Sequence, residues 1–537
     1  MTKTKASRFF SLLACSAILS CNSSWAQGTP PVGAELAVQV NEFRFTGNSA
    51  ISSADLASLL KNFPGRSLTM EQLTRAAEEV QSLYRARGWF LARAYLPPQG
   101  TRDGVVEIAI LEGRLDQVSV VVAPGAPISA ASAEAIVHTF LHRGDMVTEG
   151  AIEHPLLLLR DVPRVAAKSV LEPGGTLGSA NLVVNVGTDP ALKVISGRVE
   201  LDNYGTRATG RTRLTGEVNI NNPYGLGDQL SLRAFIANAH GNTFGRASYT
   251  LPLGPWGGRV GLSLARLNYQ LGEEFTALNP TGVANVVSLN SSLPLLRSKD
   301  ANLLAQLVLE HKKLTDEIEL LGTKETSSLG AATMSLNGDW RDSAVSTNQV
   351  SLAIGHGKLT FDDPLRQAND ASPAVGLHQA GNYTKSTLSA RRTHQLGDAW
   401  QAVMSLSAQM ANKNLPGAER LALGGPTSVR AFPLGEVIGD QGYSITLEMQ
   451  YAMPALQFDG CSAAAIGFYD FGRVKINHSN PAAYFGYDKR AIGGPGIGLN
   501  LDCSTGLMLR LGVATPTQGK VAGGSGSRAW IMAGYGF

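Results

Sequence analysis

From residue 193 to the C-terminus the sequence loses every helical period. Stretches of about ten alternating residues follow one another, each broken by glycine, proline or asparagine. Leu214, Val218 and Ile220 alternate with Arg213, Thr215, Glu217 and Asn219. After a turn at 221–228, Leu230, Leu232 and Ile236 resume the pattern. Later, Leu507, Leu509, Leu511 and Val513 alternate with Met508, Arg510 and Gly512. One such stretch says little, but about sixteen in succession constrain the fold strongly. Their connections alternate between short (252–257, 293–300, 503–506) and long (357–379, 413–440, 474–492). Transmembrane barrels have this asymmetry, with short periplasmic turns and long external loops. The last stretch places Ile531, Ala533, Tyr535 and Phe537 at every second position and ends on the aromatic ring. An open sheet edge has no hydrogen-bond partner in hydrocarbon, so the final strand must pair with the first, near 194–202. The competing reading is an exported soluble β-sandwich.

Composition sharpens this. Charged residues make up 17% of the chain and glycine 59 of 537 residues; soluble domains average roughly 25% charged and ~7% glycine. A net charge of +3 is too balanced for a nucleic-acid partner. After the leader, no apolar run approaches the ~18 residues of a spanning helix. The leader itself is residues 1–26. Lys3, Lys5 and Arg8 precede an apolar run at 9–19, and Ser24-Trp25-Ala26 supplies a cleavage site after Ala26. Lipidation at Cys21 is the alternative, but Ile18-Leu19-Ser20 matches a lipoprotein box poorly. Cys461 and Cys503 are then the mature chain's two cysteines, in an oxidising compartment.

Between leader and barrel lie a short linker, 27–38, and two modules with the same β-α-α-β-β order. In the first, 39–113, a strand at 40–46 stops at Gly47-Asn48. A helix capped by Ser52 or Ser53 follows, with Leu56, Leu59, Leu60 and Phe63 on one face. Thr69 and Gln72 form a capping box for a second helix, which Gly88 closes. Strands at 90–96 and 105–111 complete the module. The second, 115–188, has a strand at 115–122, helices at 131–141 and 148–160, and strands at 165–171 and 181–186. Gly150 and Pro155 oppose a regular helix at 148–160. The barrel occupies 193–537.

Two motifs inside the barrel carry a resemblance. The first is Leu423-Gly424-Gly425-Pro426-Thr427-Ser428-Val429-Arg430-Ala431-Phe432, followed by Gly439-Asp440-Gln441-Gly442; the second is Phe468-Tyr469-Asp470-Phe471-Gly472. With the leader, the paired modules and the aromatic terminus, they resemble the two-partner secretion transporters, the haemolysin secretion/activation group of POTRA-bearing outer-membrane proteins. The resemblance spans essentially the whole mature chain. It implies α+β periplasmic POTRA modules before an all-β barrel of about sixteen antiparallel strands. It also implies export of a large exoprotein bearing an N-terminal secretion domain, with outer-membrane lipids and the barrel assembly machinery as further partners, and no cofactor. An assembly factor that inserts other barrels is the runner-up, and a passive porin a third reading. In the family a long loop carrying Val-Arg-Gly-Tyr/Phe folds into the lumen, which places Val429, Arg430, Ala431 and Phe432 at its tip and Phe468, Asp470 and Gly472 on the wall. Arg430 and Asp470 are expected to meet and pin the loop; a solvated arginine and an ordinary lumen carboxylate are the alternative. Ala431 stands where the family usually has glycine, so a methyl there strains the tip if that glycine serves a positive φ.

Gly494, Gly496 and Gly498 share one face with Asn500 and Asp502. They are expected to form a smooth lumen strip against which the loop packs, the alternative being relief of curvature. No lysine or helix follows them, which rules out a phosphate loop. Sequence signatures of metallo- and serine hydrolases are missing. If 461–471 and 493–503 are adjacent antiparallel strands, Cys461 and Cys503 fall opposite each other on a shared face, within disulfide reach; two free thiols are the alternative. Residues 27–38, with Gly28, Pro30 and Pro31, are too short and too broken for a pore-plugging helix, so occlusion falls to the inward loop.

Overall fold

The computed structural model describes residues 37–100, 102–238, 242–456, 460–521 and 526–537. The leader and nearly all of the linker, with the expectation of no helical plug, lie outside them.

The first module contains β1 (Ala37–Val40), β2 (Glu42–Thr46), α1 (Ser53–Leu59), β3 (Arg66–Thr69), α2 (Met70–Ala86), β4 (Arg93–Tyr95) and β5 (Val105–Leu111). Ser52 caps α1 by accepting from Asp55 N–H. Thr69 and Gln72 cap each other at the start of α2. The strand expected at 40–46 is divided, because Asn41 donates its N–H to Gly104 O at 2.7 Å and breaks the run. β1 turns away to pair with β3, an element the periodicity missed, while β2 pairs in parallel with β5. The strand expected at 90–96 shrinks to β4.

The second module comprises β6 (Arg114–Val122), α3 (Ala130–Phe140), α4 (Glu149–Arg160), β7 (Val165–Pro173) and β8 (Ser179–Thr188), with sheet order β6-β8-β7. α4 is one helix despite Pro155. An interior proline costs about 3 kcal/mol. Thr148 caps the helix, and Ile152, Leu158 and Leu159 are buried in the module's core. At about 1.5–3 kcal/mol per large side chain, that burial outweighs the proline.

The barrel opens with β9 (Ile195–Asp202), β10 (Arg213–Asn221), β11 (Gln229–Ala237), β12 (Thr243–Leu253) and β13 (Gly258–Gln270). β14 (Pro280–Arg297), β15 (Ala301–Ile318), β16 (Thr323–Ser343) and β17 (Ser346–Phe361) are its long strands. After a short helix, α5 (Pro364–Asp370), come β18 (Gly381–Leu396) and β19 (Trp400–Ala411). β20 (Leu421–Leu423) and β21 (Val437–Gly439) pair only with each other. β22 (Gln441–Ala452), β23 (Cys461–Lys475), β24 (Lys489–Cys503), β25 (Leu507–Ala514) and β26 (Arg528–Gly536) complete the wall. Sixteen strands close, with β26 antiparallel to β9. Closure leaves no open edge in the bilayer, and outward leucines such as Leu264, Leu309 and Leu352 form the apolar belt.

Several connections are shorter than the sequence suggested. β14 runs to Arg297 and β17 to Phe361, so a bend expected at 293–300 becomes 298–300. β16 has 21 residues, well beyond the ~10 needed to cross, and the excess projects past the bilayer. The 298–300 turn meets α4. Arg297 makes two 2.8 Å bonds to Asp161, Lys299 N–H donates to Glu153 at 2.8 Å, and Lys299 Nζ lies 2.5 Å from Glu149. The Glu149 carboxylate holds the exposed Lys299 ammonium above its ordinary range. The short turns therefore share an end of the barrel with the second module.

Candidate functional site

The loop between β19 and β22 does not extend outward. Its β20–β21 hairpin and tip fold into the barrel, where Leu423, Val429, Ala431, Phe432 and Val437 bury against Ile466, Phe468, Val474, Ile492 and Ala514 of the wall. Val429, Ala431 and Phe432 are wholly buried. The reversal depends on Gly424 and Gly425 at φ 101° and 96°. A Cβ at Gly424 would stand 2.1 Å from Pro433 O. Gly425 N–H then closes the tip onto Phe432 O at 2.9 Å.

Arg430 points from this apolar tip at the wall. Its Nε and Nη2 donate to the two oxygens of Asp470 at 2.8 and 2.9 Å, and its backbone N–H donates to the same carboxylate at 3.0 Å. Nη1 reaches Glu448 at 2.8 Å. The guanidinium carbon lies 3.3 Å from the centroid of the Phe468 ring, stacked as a cation on a π face. Asp470 is fully buried and also accepts from Thr446 Oγ1 at 2.9 Å. Trp530 Nε1–H donates to Arg430 O at 2.7 Å. One arginine thus bridges two carboxylates on adjacent strands, β22 and β23. A forked guanidinium holds such a pair directionally, which a lysine cannot do.

Of the expected wall residues, Phe468, Asp470 and Gly472 all meet the loop. A Cβ at Gly472 would stand 2.7 Å from Leu423 and 3.2 Å from Val429, so the missing side chain makes room for the tip. The glycine strip divides. Gly494 faces the loop, with Ala431 Cβ 2.9 Å from where its own Cβ would stand. Gly496 clears the Phe468 ring, and the nearest atoms to a Cβ at Gly498 belong to the neighbouring strand at Leu511 and Gly512. Ala431 does not require the left-handed region. Its methyl fills the space left by Gly494, so the strain expected at the tip is absent and the departure from glycine is complemented on the wall.

Four contributors escaped the sequence reading: Glu448, Thr446, Trp530 and Glu419. Glu419 lies in a short 3-10 turn of the loop at Gly417–Glu419 and is almost fully buried. Its carboxylate meets Lys312 of β15 at 2.8 Å and Lys385 of β18 at 2.6 Å. Alternation makes lumen charges visible in a sequence, but their pairing depends on the loop's path, which alternation does not carry.

At the short-turn end, Cys461 and Cys503 stand opposite each other in the β23–β24 register and form a disulfide. At the closing seam, Phe537 and Gly197 exchange backbone bonds of 2.9 and 3.1 Å, and Tyr535 lies half-exposed opposite Val199.

Residues 178–501 match the family described as haemolysin secretion/activation protein ShlB/FhaC/HecB, and residues 38–113 match a ShlB-type POTRA domain. The heme/hemopexin transporter protein HuxB of Haemophilus influenzae is 24% identical over 485 residues, covering 90% of this chain and 84% of that protein. The outer membrane transporter CdiB of Dickeya dadantii is 24% identical, covering 77% of this chain and 73% of its own. Among solved structures, CdiB from Escherichia coli superimposes with a TM-score of 0.73 at 20% identity, over 96% of this chain and 93% of that one. BamA from Haemophilus ducreyi, lacking POTRA domains 1–3, shares the fold at a TM-score of 0.52 and 14% identity, over 93% and 100% of the two chains.

Proposed function

Given that the chain belongs to the haemolysin secretion/activation family, outer-membrane transporters of two-partner secretion, we propose how its parts divide the export of one large exoprotein. The barrel sits in the outer membrane with its N-terminal modules in the periplasm. Residues 39–113 and 115–188 capture the unfolded N-terminal secretion domain of the exoprotein. Supporting this, β6 and β7 are the two edges of the second module's sheet, and Val121 and Val170 stand half-exposed on them. Edge strands of this kind accept an extended chain by strand addition. The barrel, 193–537, is the conduit, and the inward loop is its gate.

The observation that carries the gating is Arg430, held at once by Asp470, Glu448 and the Phe468 ring. While that clasp is closed, Val429, Ala431 and Phe432 stay buried and the lumen is obstructed. Passage requires the guanidinium to leave both carboxylates and the loop to yield. Folding of the exoprotein outside supplies the energy. The barrel assembly machinery reads the final strand through Tyr535 and Phe537, and outer-membrane lipids surround the wall. An assembly factor has only the shared fold in its favour, whereas the family match supports secretion.

The experiment is co-expression with a large secreted protein encoded beside this gene and carrying an N-terminal secretion domain. The partner should reach the medium only with the transporter present, while the levels of other outer-membrane barrels stay unchanged. Loss of unrelated barrels on deletion, with secretion intact, would reverse the assignment.

A further inference from the structure

The outer wall changes character abruptly between β13 and β17. Lys312 turns inward to Glu419, so its neighbours His311 and Lys313 turn outward, and both are exposed. On β17 the outward residues run Leu352, Ile354, His356, Lys358, and on β13 Leu262, Leu264, Arg266. Each strand passes from aliphatic to basic in a single step. Residue pairing places Lys313 beside Asn285, itself beside Arg266, and places Gly330 between His311 and Lys358. With no side chain, Gly330 leaves a notch between these two basic side chains.

The step falls at one height. The first outward basic residue moves from Arg266 to His311 to His356, back by two residues for every two strands. Two residues are ~6.8 Å along a strand and two strand spacings ~9.6 Å, a slope of ~35°. That equals the ~35–45° tilt of strands in such barrels, so the boundary is level with the membrane. Its depth also fits. From the outward Trp340 near the short-turn end to Gly330 is about ten residues, or ~26 Å of height at that tilt. The apolar band of an outer-membrane barrel is ~25 Å tall. Between them the outward positions of β16 are Gly338, Leu336, Met334 and Ala332, all uncharged. The basic residues therefore stand where the hydrocarbon of the outer leaflet ends and its headgroups begin.

The recorded partners of this arc are neutral. Arg266 donates to Asn268 and Asn285 at 3.0 and 3.4 Å, and His356 bonds Thr384 at 3.1 Å, all neutral partners. Among the described residues, the outward acid next along β15, Glu317, is already paired with Lys324 at 3.5 Å. We propose that this arc of Arg266, His311, Lys313, His356 and Lys358 is a binding site for the phosphate groups of an outer-leaflet lipid. The site faces the bilayer and is separate from the lumen clasp, so its failure would leave the secretion reading standing.

The test is native mass spectrometry of the full-length protein with hexa-acylated lipid A as probe, in diphosphoryl and dephosphorylated forms. Diphosphoryl lipid A should form a saturable adduct, weakened about tenfold or more in an Arg266→Gln, Lys313→Gln, Lys358→Gln triple variant, since each basic residue near an anionic surface contributes separately. Arg473→Gln, outward on β23 and away from the arc, should bind like wild type. The triple variant should keep the heat-modifiable gel mobility of a folded barrel, and Arg266→Lys in place of Arg266→Gln should restore binding in part. Equal binding by the triple variant, or by dephosphorylated lipid A, would overturn the site. Displacement of the lipid by millimolar inorganic phosphate would also overturn it, in favour of a free-anion site.

Discussion

Arg430→Ala is the perturbation that most directly probes the gate. It removes two side-chain bonds to Asp470 and one to Glu448, and it strands Asp470, which is fully buried, with only Thr446 and the backbone N–H of residue 430 as donors. Breaking a buried ion pair by deleting one partner costs about 3–5 kcal/mol. Each ~1.4 kcal/mol is a factor of ten in an equilibrium, so the seated loop should lose from about a hundred- to several thousand-fold relative to the displaced one. The loop is not simply released, because Val429, Ala431 and Phe432 remain buried at about 1.5–3 kcal/mol for each large side chain. The expected result is a channel that opens far more often, not one left permanently open. Single-channel recording in planar bilayers reads this directly, and secretion of the exoprotein should fall because the freed loop tip and the lone Asp470 carboxylate both stand in the passage. The barrel should stay folded by heat-modifiable gel migration, since its sixteen-strand closure does not involve residue 430. The Arg430→Ala, Asp470→Ala double variant should be less disturbed than the sum of the singles, because no buried charge is left alone. An Arg430→Ala channel with wild-type open probability and wild-type secretion would refute the clasp.

Glu419→Gln should also raise open probability, because Lys312 and Lys385 would lose their shared carboxylate; reversing the charges at 419 and 385 together should recover closure, and failure of the swap would argue against direct pairing. Gly472→Val should block seating of the loop, since even a Cβ there stands 2.7 Å from Leu423; wild-type conductance in that variant would show that the tip does not need the clearance. Arg297→Glu should loosen the second module from the 298–300 turn and expose it to protease, with Asp161→Arg restoring protection. That effect should be small, about 1 kcal/mol or less, because the pair is partly solvated.

The parts of the fold legible in the sequence were those set by a short period. Alternation exposed the barrel strands because lipid and lumen impose opposite demands on successive residues. Capping chemistry exposed α1 and α2, where Ser52, Thr69 and Gln72 satisfy backbone groups locally. What escaped depends on distant partners. β3 exists because β1 turns to meet it, and nothing within 66–69 announces that pairing. The strand ends at 297 and 361 lie beyond what the sequence suggests, because proline or glycine near a strand's end signals a turn locally while the neighbouring strands keep the ladder going. In the site, only motif resemblance points to Arg430 and Asp470. Glu448, two residues from Thr446 on the same inward face, had a usable signal: a carboxylate on a barrel strand cannot face lipid, so it must face something in the lumen.

The disulfide shows what register adds to such reasoning. Pairing Phe471 with Gly493 forces Cys461 opposite Cys503, since antiparallel partners keep a constant index sum. A slip of one residue would turn one thiol to the lumen and the other to the outer wall. The bridge therefore fixes the same register that sets Asp470 beside Gly494, and through it the room for Ala431. Closing a sequence separation of 42 residues stabilises by about 4 kcal/mol in the chain-entropy picture. Cys461→Ser, Cys503→Ser protein should accordingly unfold at lower denaturant while its folded channels stay gated, because the strand ladder alone holds the register once formed. Peptide mapping without reductant should recover 461 and 503 as one cross-linked species. Alkylatable thiols at both positions in freshly prepared protein would exclude the bridge, and a gating defect in the double serine variant with the barrel folded would mean that the ladder cannot hold Asp470 in place unaided.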